Sequence, residues 1–356
     1  MSASLAISLD AMGGDNAPEM VVRGADIARR RFPQSKFLFF GDEAKVRPLL
    51  DSLPDLKKVS TLRHTVSVVT MEDKPSQALR SGRGSSMRLA IDAVHNGEAD
   101  AVVSAGNTGA LMAMAKFVLK TMPGIDRPAI ASFFPTLRSE SVMLDLGANV
   151  QCDADNLVQF AVMGNVFART VLGVREPTTG LLNVGAEELK GHDAVKVASG
   201  ILRQAVLPGK FIGFVEGDDI TRGTVDVIVT DGFTGNVALK SIEGAVKLYS
   251  HFLRQTFKSS WMAGLGYLLA RPAMNALRAR VDPRRYNGAI FMGLNGVCVK
   301  SHGGTDAFGF ANAIGVAVDM IANGALEKMR EDFANMTAAA VNPADSRAVT
   351  PQAAAL

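Results

Sequence analysis

The chain alternates between short apolar runs and longer amphipathic runs over most of its length. Short apolar runs predict strands, whereas apolar positions spaced by three or four residues predict helices. The predicted strands are residues 5–9, 36–40, 66–69, 100–104, 129–134, 141–145, 178–183, 211–215, 225–230, 288–292 and 296–300. The predicted helices are residues 18–32, 85–96, 107–120, 153–172, 192–206, 233–256 and 305–333. Alternation of this kind is typical of parallel βαβ units and predicts an α/β fold.

The first strand ends in an unusual run of polar residues and glycines. Asp10, Gly13, Gly14, Asp15 and Asn16 all lie between this strand and a helix that starts near Pro18. Ligands bind at the carboxyl ends of strands in open α/β sheets, and free backbone N–H groups there favour an anion such as phosphate. The run therefore predicts an anion site, and the alternative is a tight turn whose polar residues only cap the helix.

Three later loops repeat the order of apolar strand, small polar loop and helix. Their candidate residues are Ser104, Asn107 and Thr108 in the first, Asp145, Gly147 and Asn149 in the second, and Asn183, Lys190 and His192 in the third. A further loop carries Asp231, Asn236 and Lys240. Each loop alone could simply cap its helix. Together they predict one crevice, because the carboxyl ends of parallel strands meet at the same edge of a sheet.

Some of these side chains suggest roles. A fixed cation near a glycine turn suits phosphate, and Lys190 is the candidate, with a solvated surface lysine as the alternative. His192 could carry a proton near neutral pH or merely cap a helix. Asp231 and Asn236 could orient the other loops. Lys240 shares a helical face with Asn236 and could equally pair with Glu243 at the surface.

Length and composition narrow the class of protein. At 356 residues the chain favours two lobes, because single cores rarely exceed roughly 250 to 300 residues. The net charge of +3 is too small to indicate a nucleic-acid partner. Cys152 and Cys298 lie far apart, and no histidines stand at metal-binding spacings, so neither a disulfide, a metal nor a cofactor is predicted.

The apolar runs and the two ends of the sequence allow predictions of membrane spanning, cellular location and order. No apolar run approaches the roughly 20 residues of a membrane-spanning helix. The first residues enter a strand without a basic start and an apolar export segment, which predicts a cytoplasmic protein. Beyond about residue 335 the sequence is rich in alanine, contains Pro343 and Pro351 and lacks a sustained apolar face. Residues 336–356 are therefore predicted to form a loose tail.

Six motifs, in order along the chain, carry a resemblance to a known family. They are DAMGGDNAP at 10–18, SAGNTGALMA at 104–113, LDLGANV at 144–150, LLNVGAEELKG at 181–191, DGFTGNVALKSIEG at 231–244 and YNGAIFMGLNGVCVKSHG at 286–303. Together they resemble the bacterial phosphate acyltransferases of phospholipid synthesis, over residues from about 5 to 335. These enzymes transfer a fatty acyl group from acyl carrier protein to inorganic phosphate.

The resemblance implies a fold and a mechanism. It implies a two-lobed α/β/α sandwich with mainly parallel sheets, like phosphotransacetylases and isocitrate-type dehydrogenases, and a homodimer. Our division is residues 1–106 plus 286–335 against 107–285. In the implied reaction, backbone N–H groups of Gly13 and Gly14, with Lys190, hold phosphate beside an acyl thioester. Asn107 and Asn149 are the candidate donors to the oxyanion, and an acyl phosphate forms as the thiolate leaves.

One segment has no counterpart among the strand-end loops. Residues 247–285 contain eight Lys or Arg residues, one acid and the only tryptophan, interleaved with apolar residues. We predict a helix pair with a basic and an apolar face, broken at Gly264, Gly266 and Pro272. The apolar face could be core or dimer contact. Alternatively, the segment could contact an anionic membrane surface or dock acidic acyl carrier protein.

The implied function is an acyltransferase that makes fatty acyl phosphate from acyl carrier protein thioester and phosphate. It would work at the inner face of the cell membrane and hand its product to a membrane glycerol-3-phosphate acyltransferase. Three rivals remain. They are a short-chain phosphotransacetylase that uses coenzyme A, a nicotinamide-dependent decarboxylating dehydrogenase and a non-catalytic membrane-surface scaffold. The dehydrogenase would need a carboxylate cluster for a metal and a set of arginines, and neither is clear in the sequence.

Overall fold

The computed structural model describes the backbone of residues 5–341 and the side chains of residues 5–335. In this part of the chain, eleven strands form one sheet in the order β3-β2-β1-β4-β11-β10-β5-β6-β9-β7-β8. The strands are β1 Ala6–Asp10, β2 Lys36–Gly41, β3 Ser60–His64, β4 Ala101–Ser104, β5 Ala129–Pro135, β6 Glu140–Leu144, β7 Thr178–Leu182, β8 Lys210–Val215, β9 Val227–Val229, β10 Ala289–Met292 and β11 Val297–Lys300.

Helices cover both faces of this sheet. They are α1 Glu19–Arg31, α2 Glu43–Asp51, α3 Pro54–Lys57, α4 Pro75–Ser81, α5 Ser86–His95, α6 Thr108–Leu119, α7 Ala154–Thr170, α8 Asp193–Leu202, α9 Gly217–Arg222, α10 Gly232–Lys258, α11 Trp261–Arg280, α12 Ala307–Ala322 and α13 Ala325–Val341, with a 3₁₀ turn at Pro283–Tyr286. The mostly parallel α/β fold predicted from the alternating pattern is confirmed.

The central strands are buried on both faces, which explains their continuous apolar sequences. Every residue of β4, β9 and β11 is buried. The helix α7 is also buried on nearly all sides. It begins at a capping box in which the Asp153 carboxylate accepts the Asn156 N–H at 2.8 Å. On the same face, α1 packs along α12.

Strand direction reverses near the middle of the sheet. β10 is antiparallel to both β11 and β5, and β5 is antiparallel to β6. As a result, β6, β9, β7 and β8 run opposite to β1, β4 and β11. The carboxyl ends of the strands in one group therefore point in the opposite direction to those in the other group.

The predicted division into lobes corresponds to two contiguous halves of this one sheet. The half here called the first half holds β1–β4, β10 and β11, and the half called the second half holds β5–β9. The helices do not follow this division as closely as the strands. The helix α6 belongs to the predicted second lobe but packs on α4 and α5 of the first half. The helix α13 packs on α7 of the second half. The lobe boundaries stay a prediction, since the sheet is continuous across them.

The predicted strand at 66–69 is wrong. The edge strand is Ser60–His64 instead, and residues 66–69 form the loop that follows it. Val66 is 85% exposed in that loop, whereas Val69 is buried. An edge strand needs little apolar sequence, so the polar run Ser-Thr-Leu-Arg-His gave a weak strand signal.

The helix predicted at 305–333 is two helices, because α12 ends at Asn323 and Gly324, where Gly324 has a φ of +62°. The second helix, α13, continues past residue 335 to Val341. The rest of the predicted tail, residues 342–356, lies outside the described residues.

The basic segment forms two exposed helices, α10 and α11, here called the helical hairpin. The break lies at Ser259 and Ser260, so the predicted break at Gly264, Gly266 and Pro272 is wrong. The Ser260 hydroxyl caps α11 by accepting the Ala263 N–H at 3.1 Å. A good N-cap fixes the start of a helix, whereas interior glycines cost it only about 1 kcal/mol each.

Within the described range, no single helix is long and apolar enough to cross a membrane. The helix α12 reaches that length only together with the start of α13, as a pair bent by 55°.

Candidate functional site

Three neighbouring parallel strands, β1, β4 and β11, deliver their following loops to one place. We call this the three-loop site and define it by residues 10–18, 104–109 and 300–306. The Asp15 N–H donates to the Gly303 carbonyl at 3.0 Å, which joins the first loop to the third. The Asn16 amide donates to the Thr305 carbonyl at 3.2 Å. The first glycine turn and the Ser104 loop are thus brought together, as the sequence predicts.

Gly13 and Gly14 allow the three backbones to meet. A Cβ on Gly13 would lie 2.4 Å from the Asp10 Oδ2 atom and 2.7 Å from the Gly106 nitrogen. Gly14 has a φ of +104°, and a Cβ there would lie 3.0 Å from the Gly303 carbonyl oxygen. A side chain at either position would push the loops apart, so the glycines are a requirement of the site.

A buried carboxyl group lies at the base of the site. Asp10 is 1% exposed and accepts the Ser104 hydroxyl at 2.7 Å. The Ser104 oxygen in turn accepts the Gly106 N–H at 3.1 Å. Burial raises the pKa of Asp10, although these hydrogen bonds oppose it. The Asp10–Ser104 pair therefore fixes the second loop against the first.

A buried lysine lies beside this carboxyl group. Lys300, the last residue of β11, is 8% exposed, and its Nζ atom donates to the carbonyls of Ser301 and, at 3.4 Å, Ala105. Burial lowers the pKa of Lys300 to about 8, while the carboxylates of Asp10 and Asp15 act in the opposite direction. The ammonium group remains mostly charged at neutral pH, so the site holds a cation where an anion could bind.

His302 and the helix α10 bring further charge to this site. Burial lowers the pKa of His302, and the cations Lys300, Lys240 and Lys247 lower it further. Its Nδ1 atom accepts the Gly304 N–H at 3.1 Å. These influences favour the neutral imidazole, and only Glu243 opposes them. Lys240 itself forms an ion pair with Glu243 at 2.9 Å, which was the surface alternative for that residue.

Several backbone donors of the site are free. Gly14, Asn16 and Gly303 have N–H groups without a hydrogen-bond partner among the described residues. The helix α6 also begins here, and its first N–H groups, from Thr108 and Gly109, have no partner within the helix. Free N–H groups and a helix N-terminus beside a buried ammonium group make a site suited to a phosphate-sized anion.

A second cluster lies after β6 and β9. Asp145 is fully buried, and its Oδ1 atom accepts the N–H groups of Ile130 at 2.8 Å and Ala148 at 3.1 Å. Its Oδ2 atom accepts the Asn149 backbone N–H at 2.6 Å and the Asn149 side-chain amide at 2.9 Å. Burial raises the pKa of Asp145 against these bonds. Every one of these donors comes from the chain itself, so the carboxyl group serves the local fold.

Asp231 and Asn236 adjoin the second cluster. The Asp231 carboxylate caps α10 by accepting the Thr234 N–H at 2.9 Å. A Cβ on Gly147, whose φ is +124°, would lie 3.5 Å from the Cβ of Asn236. Cys152 is half-buried here, and burial raises the pKa of its thiol to about 12, so it is not a ready nucleophile.

The third cluster, after β7, is exposed. The Lys190 Nζ atom pairs with the Glu187 carboxylate at 2.9 Å, and this bond raises the pKa of Lys190. The Asn183 amide donates to the carbonyls of Gly185 and Lys190, at 3.2 and 3.0 Å. His192 precedes α8 as its N-cap, but its side chain makes no capping bond. This loop is ordered by its own hydrogen bonds.

The expectation that the strand-end loops share one crevice stays a prediction. Seven strand spacings of about 4.8 Å separate β1 from β7, or roughly 34 Å along the sheet. The strands β6, β7 and β9 also run in the opposite direction to β1. The helix α10, which starts after β9, nevertheless brings Lys240 within electrostatic range of His302. Among the described residues Lys190 pairs with Glu187 and makes no contact with Gly13 or Gly14, whereas Lys300 is the buried cation at that turn.

The two amides proposed as oxyanion donors are already engaged. The Asn107 Nδ2 atom donates to the carbonyls of Thr70, Met71 and Asp73 at 3.2, 3.0 and 2.9 Å. The Asn149 Nδ2 atom donates to the Pro128 carbonyl at 2.8 Å as well as to Asp145. Both amides hold neighbouring loops in place, and their role as oxyanion donors stays a prediction.

Lys300 and His302 were missed as site residues, although their motif was recognised. The strand predicted at 296–300 is followed by Ser-His-Gly-Gly and then a helix, which is the same order that marked the other loops. Lysine at the end of an apolar strand was the available signal. Around these residues and elsewhere in the described part of the chain, no three His, Cys, Asp or Glu side chains are arranged to hold a metal ion.

Comparison with known proteins gives close relatives over the whole chain. A model of the family described as fatty acid synthesis protein matches residues 5–328. A phosphate acyltransferase of Rhodospirillum centenum is 69% identical over 339 residues, which cover 95% of this chain and 96% of the relative. A phosphate acyltransferase of Paramagnetospirillum magneticum is 59% identical over 350 residues, or 98% of this chain and 100% of the relative.

Solved structures share the fold at low sequence identity. A phosphotransacetylase from Streptococcus pyogenes aligns with a TM-score of 0.60 and 18% identity, covering 91% of this chain and 94% of its own. A 4-hydroxythreonine-4-phosphate dehydrogenase from Klebsiella pneumoniae aligns with a TM-score of 0.53 and 13% identity, covering 90% and 100%. One fold thus carries both acyl transfer and dehydrogenation, so fold alone assigns neither.

Proposed function

The chain belongs to the fatty acid synthesis protein family, its relatives are phosphate acyltransferases, and we propose that it transfers a fatty acyl group from acyl carrier protein to inorganic phosphate. The product is an acyl phosphate, a donor for phospholipid synthesis. The observation that carries the assignment of the site is the buried Lys300 ammonium group among free N–H donors of three loops.

Phosphate is the first substrate to place. The Lys300 ammonium group and the N–H groups of Gly14 and Gly303 bind its oxygens, while the Asp10–Ser104 pair holds the loops that carry them. Asp15 and Asn16 keep the first loop on the third. The free N–H groups of Thr108 and Gly109 face the developing oxyanion of the thioester carbonyl.

The reaction is a direct displacement at the thioester carbonyl. A phosphate oxygen forms a bond to the carbonyl carbon, and the tetrahedral intermediate collapses with cleavage of the carbon–sulfur bond. The sulfur leaves with the electron pair of that bond as a thiolate and then takes a proton from solvent. A thiol pKa of about 8.5 makes the thiolate a good leaving group, so the step needs no strong acid. Holding both reactants together makes the attack effectively intramolecular.

The candidate site residues of the second half have weaker support for a role in the reaction. Lys190, His192, Asn183, Asp145, Gly147, Asn149, Asp231 and Asn236 match the family motifs, and this match is their support. Lys240 is a special case, because it lies on α10 within electrostatic range of His302. Residues of α10 thereby link the second cluster to the three-loop site.

The helical hairpin supports a proposal about location and assembly. No residue of α11 is buried, and Trp261, Leu265 and Leu269 are 79%, 51% and 78% exposed. We propose that the chain forms a homodimer and that the hairpin makes peripheral contact with the inner face of the cell membrane. There the product would pass to a membrane glycerol-3-phosphate acyltransferase. Flotation with anionic and neutral liposomes tests the contact, and binding that ignores lipid charge would count against it.

The test of the activity is direct detection of the product. The purified protein is incubated with palmitoyl acyl carrier protein, with and without phosphate, and acyl phosphate is measured by mass spectrometry. We expect product only with phosphate. Acetyl-CoA in place of the acyl carrier thioester tests the alternative of a short-chain phosphotransacetylase. Phosphotransacetylases share this fold. A preference for acetyl-CoA would replace the proposed substrate.

A further inference from the structure

A groove adjoins the three-loop site on its outer side. It has a volume of about 410 Å³ and is lined by Met12, Asp42, Lys45, His64, Val66 and Val68, among others. This volume lies within the roughly 300–1,000 Å³ that is usual for small-molecule sites. None of the lining side chains takes part in holding phosphate in the mechanism above.

The groove is continuous with the site. It follows the carboxyl ends of β1, β2 and β3, and the site follows those of β1, β4 and β11, so the two share the first loop. Met12 precedes Gly13, and a Cβ on Gly41 would lie 3.2 Å from its Sδ atom. On the other side, the Met71 Cε atom lies 3.7 Å from where a Cβ on Gly303 would be. A substrate could therefore lie in the groove and place its reactive end at the three loops.

The outer wall of the groove is held in place. The Asn107 amide bonds three carbonyls of residues 70–73, and the Ser86 N–H donates to the Ser67 carbonyl at 3.2 Å. Despite this support, Val66 and Val68 remain 85% and 42% exposed. The two valines give this fixed wall an accessible apolar surface.

The groove has the cation Lys45 and the carboxylate of Asp42 in its lining, and Arg83 on an adjoining segment. Lys45 and Arg83 are exposed, and neither forms an ion pair with a described residue. Arg83 precedes Gly84, where a Cβ would lie 3.7 Å from a Val66 methyl group. By contrast, the nearby Arg47 and Arg63 are paired with Glu43 and Glu98. Two cations without ion pairs therefore lie at the groove, Lys45 in its lining and Arg83 on the segment that adjoins Val66.

A lining of apolar and polar groups, with two cations at the groove, does not suit a bare hydrocarbon chain. It suits a linear arm that carries amides and methyl groups and ends in a phosphodiester. We propose that this groove binds the phosphopantetheine arm of the acyl carrier, with Lys45 and Arg83 contacting its phosphate and the acidic carrier surface. This inference rests on the proposed function. It assigns carrier docking to the first half of the sheet and leaves the helical hairpin for other contacts.

Charge reversal tests these two cations. The double variant Lys45→Glu, Arg83→Glu should raise KM for palmitoyl acyl carrier protein about tenfold or more and weaken its dependence on salt. The KM for inorganic phosphate should stay within about twofold of the original, since phosphate lies at the three loops. The matched control is Lys258→Glu, Arg271→Glu on the helical hairpin, which makes the same change in charge. A higher carrier KM for the hairpin variant alone would overturn the proposal.

A second variant tests the groove itself. Val68→Trp should raise KM for a soluble palmitoyl-pantetheine thioester, which lacks both the phosphate and the carrier. The Lys45→Glu, Arg83→Glu variant should leave that KM unchanged. An unchanged KM with Val68→Trp would show that the arm lies elsewhere. If the unaltered protein makes no acyl phosphate from any thioester, that result contradicts the proposed function itself. It differs from the two results above, which would contradict only the proposal about the groove.

Discussion

Both halves of the sheet place polar loops after apolar strands, but the polar groups of these loops have different partners in the two halves. In the first half, Lys300 is buried beside Asp10, and free N–H groups surround them. In the second half, the buried Asp145 is saturated by four donors of the chain, and Lys190 is paired at the surface. We therefore propose that a polar strand-end loop binds a ligand where backbone N–H donors lack partners and a buried cation has no ion pair.

The largest expected effect compares the two lysines. Lys300→Met should lower kcat/KM for phosphate by about 10²–10³-fold, because a fixed cation in a buried site is lost. Lys190→Met should change it by less than about threefold, as expected for an exposed pair. Circular dichroism should show both variants folded. A large loss for Lys190→Met would mean that the second half contributes to the site after all, for example through a second copy of the chain.

The two buried carboxyl groups provide the next comparison. Asp145→Asn should lower the free energy of unfolding by about 2–4 kcal/mol, because an amide nitrogen would face backbone donors that lose their acceptor. Asp10→Asn should cost about 1 kcal/mol or less, since the Ser104 hydroxyl can turn to accept from the new amide. Urea denaturation measures both. Equal losses would contradict the view that only Asp145 is saturated for structural reasons.

Two glycines test how tightly the three loops are packed. Gly13→Ala should destabilise the protein by about 1–3 kcal/mol, because its Cβ would lie 2.7 Å from the Gly106 backbone nitrogen. Gly200→Ala in α8 has open space around it and should stabilise by about 0.5–1 kcal/mol. Thermal unfolding checks the opposite signs. A neutral Gly13→Ala variant would mean that the loops can separate without cost.

Features of the fold and of the candidate site that depend on local sequence could be predicted, whereas features that depend on strand pairing could not. Buried strands such as β4 and β11 were predicted because their apolar runs are local. The position of β3 was wrong because edge strands carry little apolar signal. The reversal of strand direction at β10 and β5 was not predicted, because pairing direction leaves no mark in any one segment. Lys300 was missed because it is the last residue of a strand, whereas the candidate residues were sought in the loops that follow the strands.

The last comparison is a pH dependence of phosphate use that the two halves should not share. Lys300 is charged below a pKa of about 8 and neutral above it, so phosphate affinity should fall as pH rises through that value. The logarithm of kcat/KM for phosphate should then decline by about one unit per pH unit, which is tenfold. Lys300→Arg should remove this decline, because a guanidinium group stays charged. The pKa of Lys190 is raised, so Lys190→Arg should leave the profile as it is. A decline that survives Lys300→Arg would assign the titration to another group.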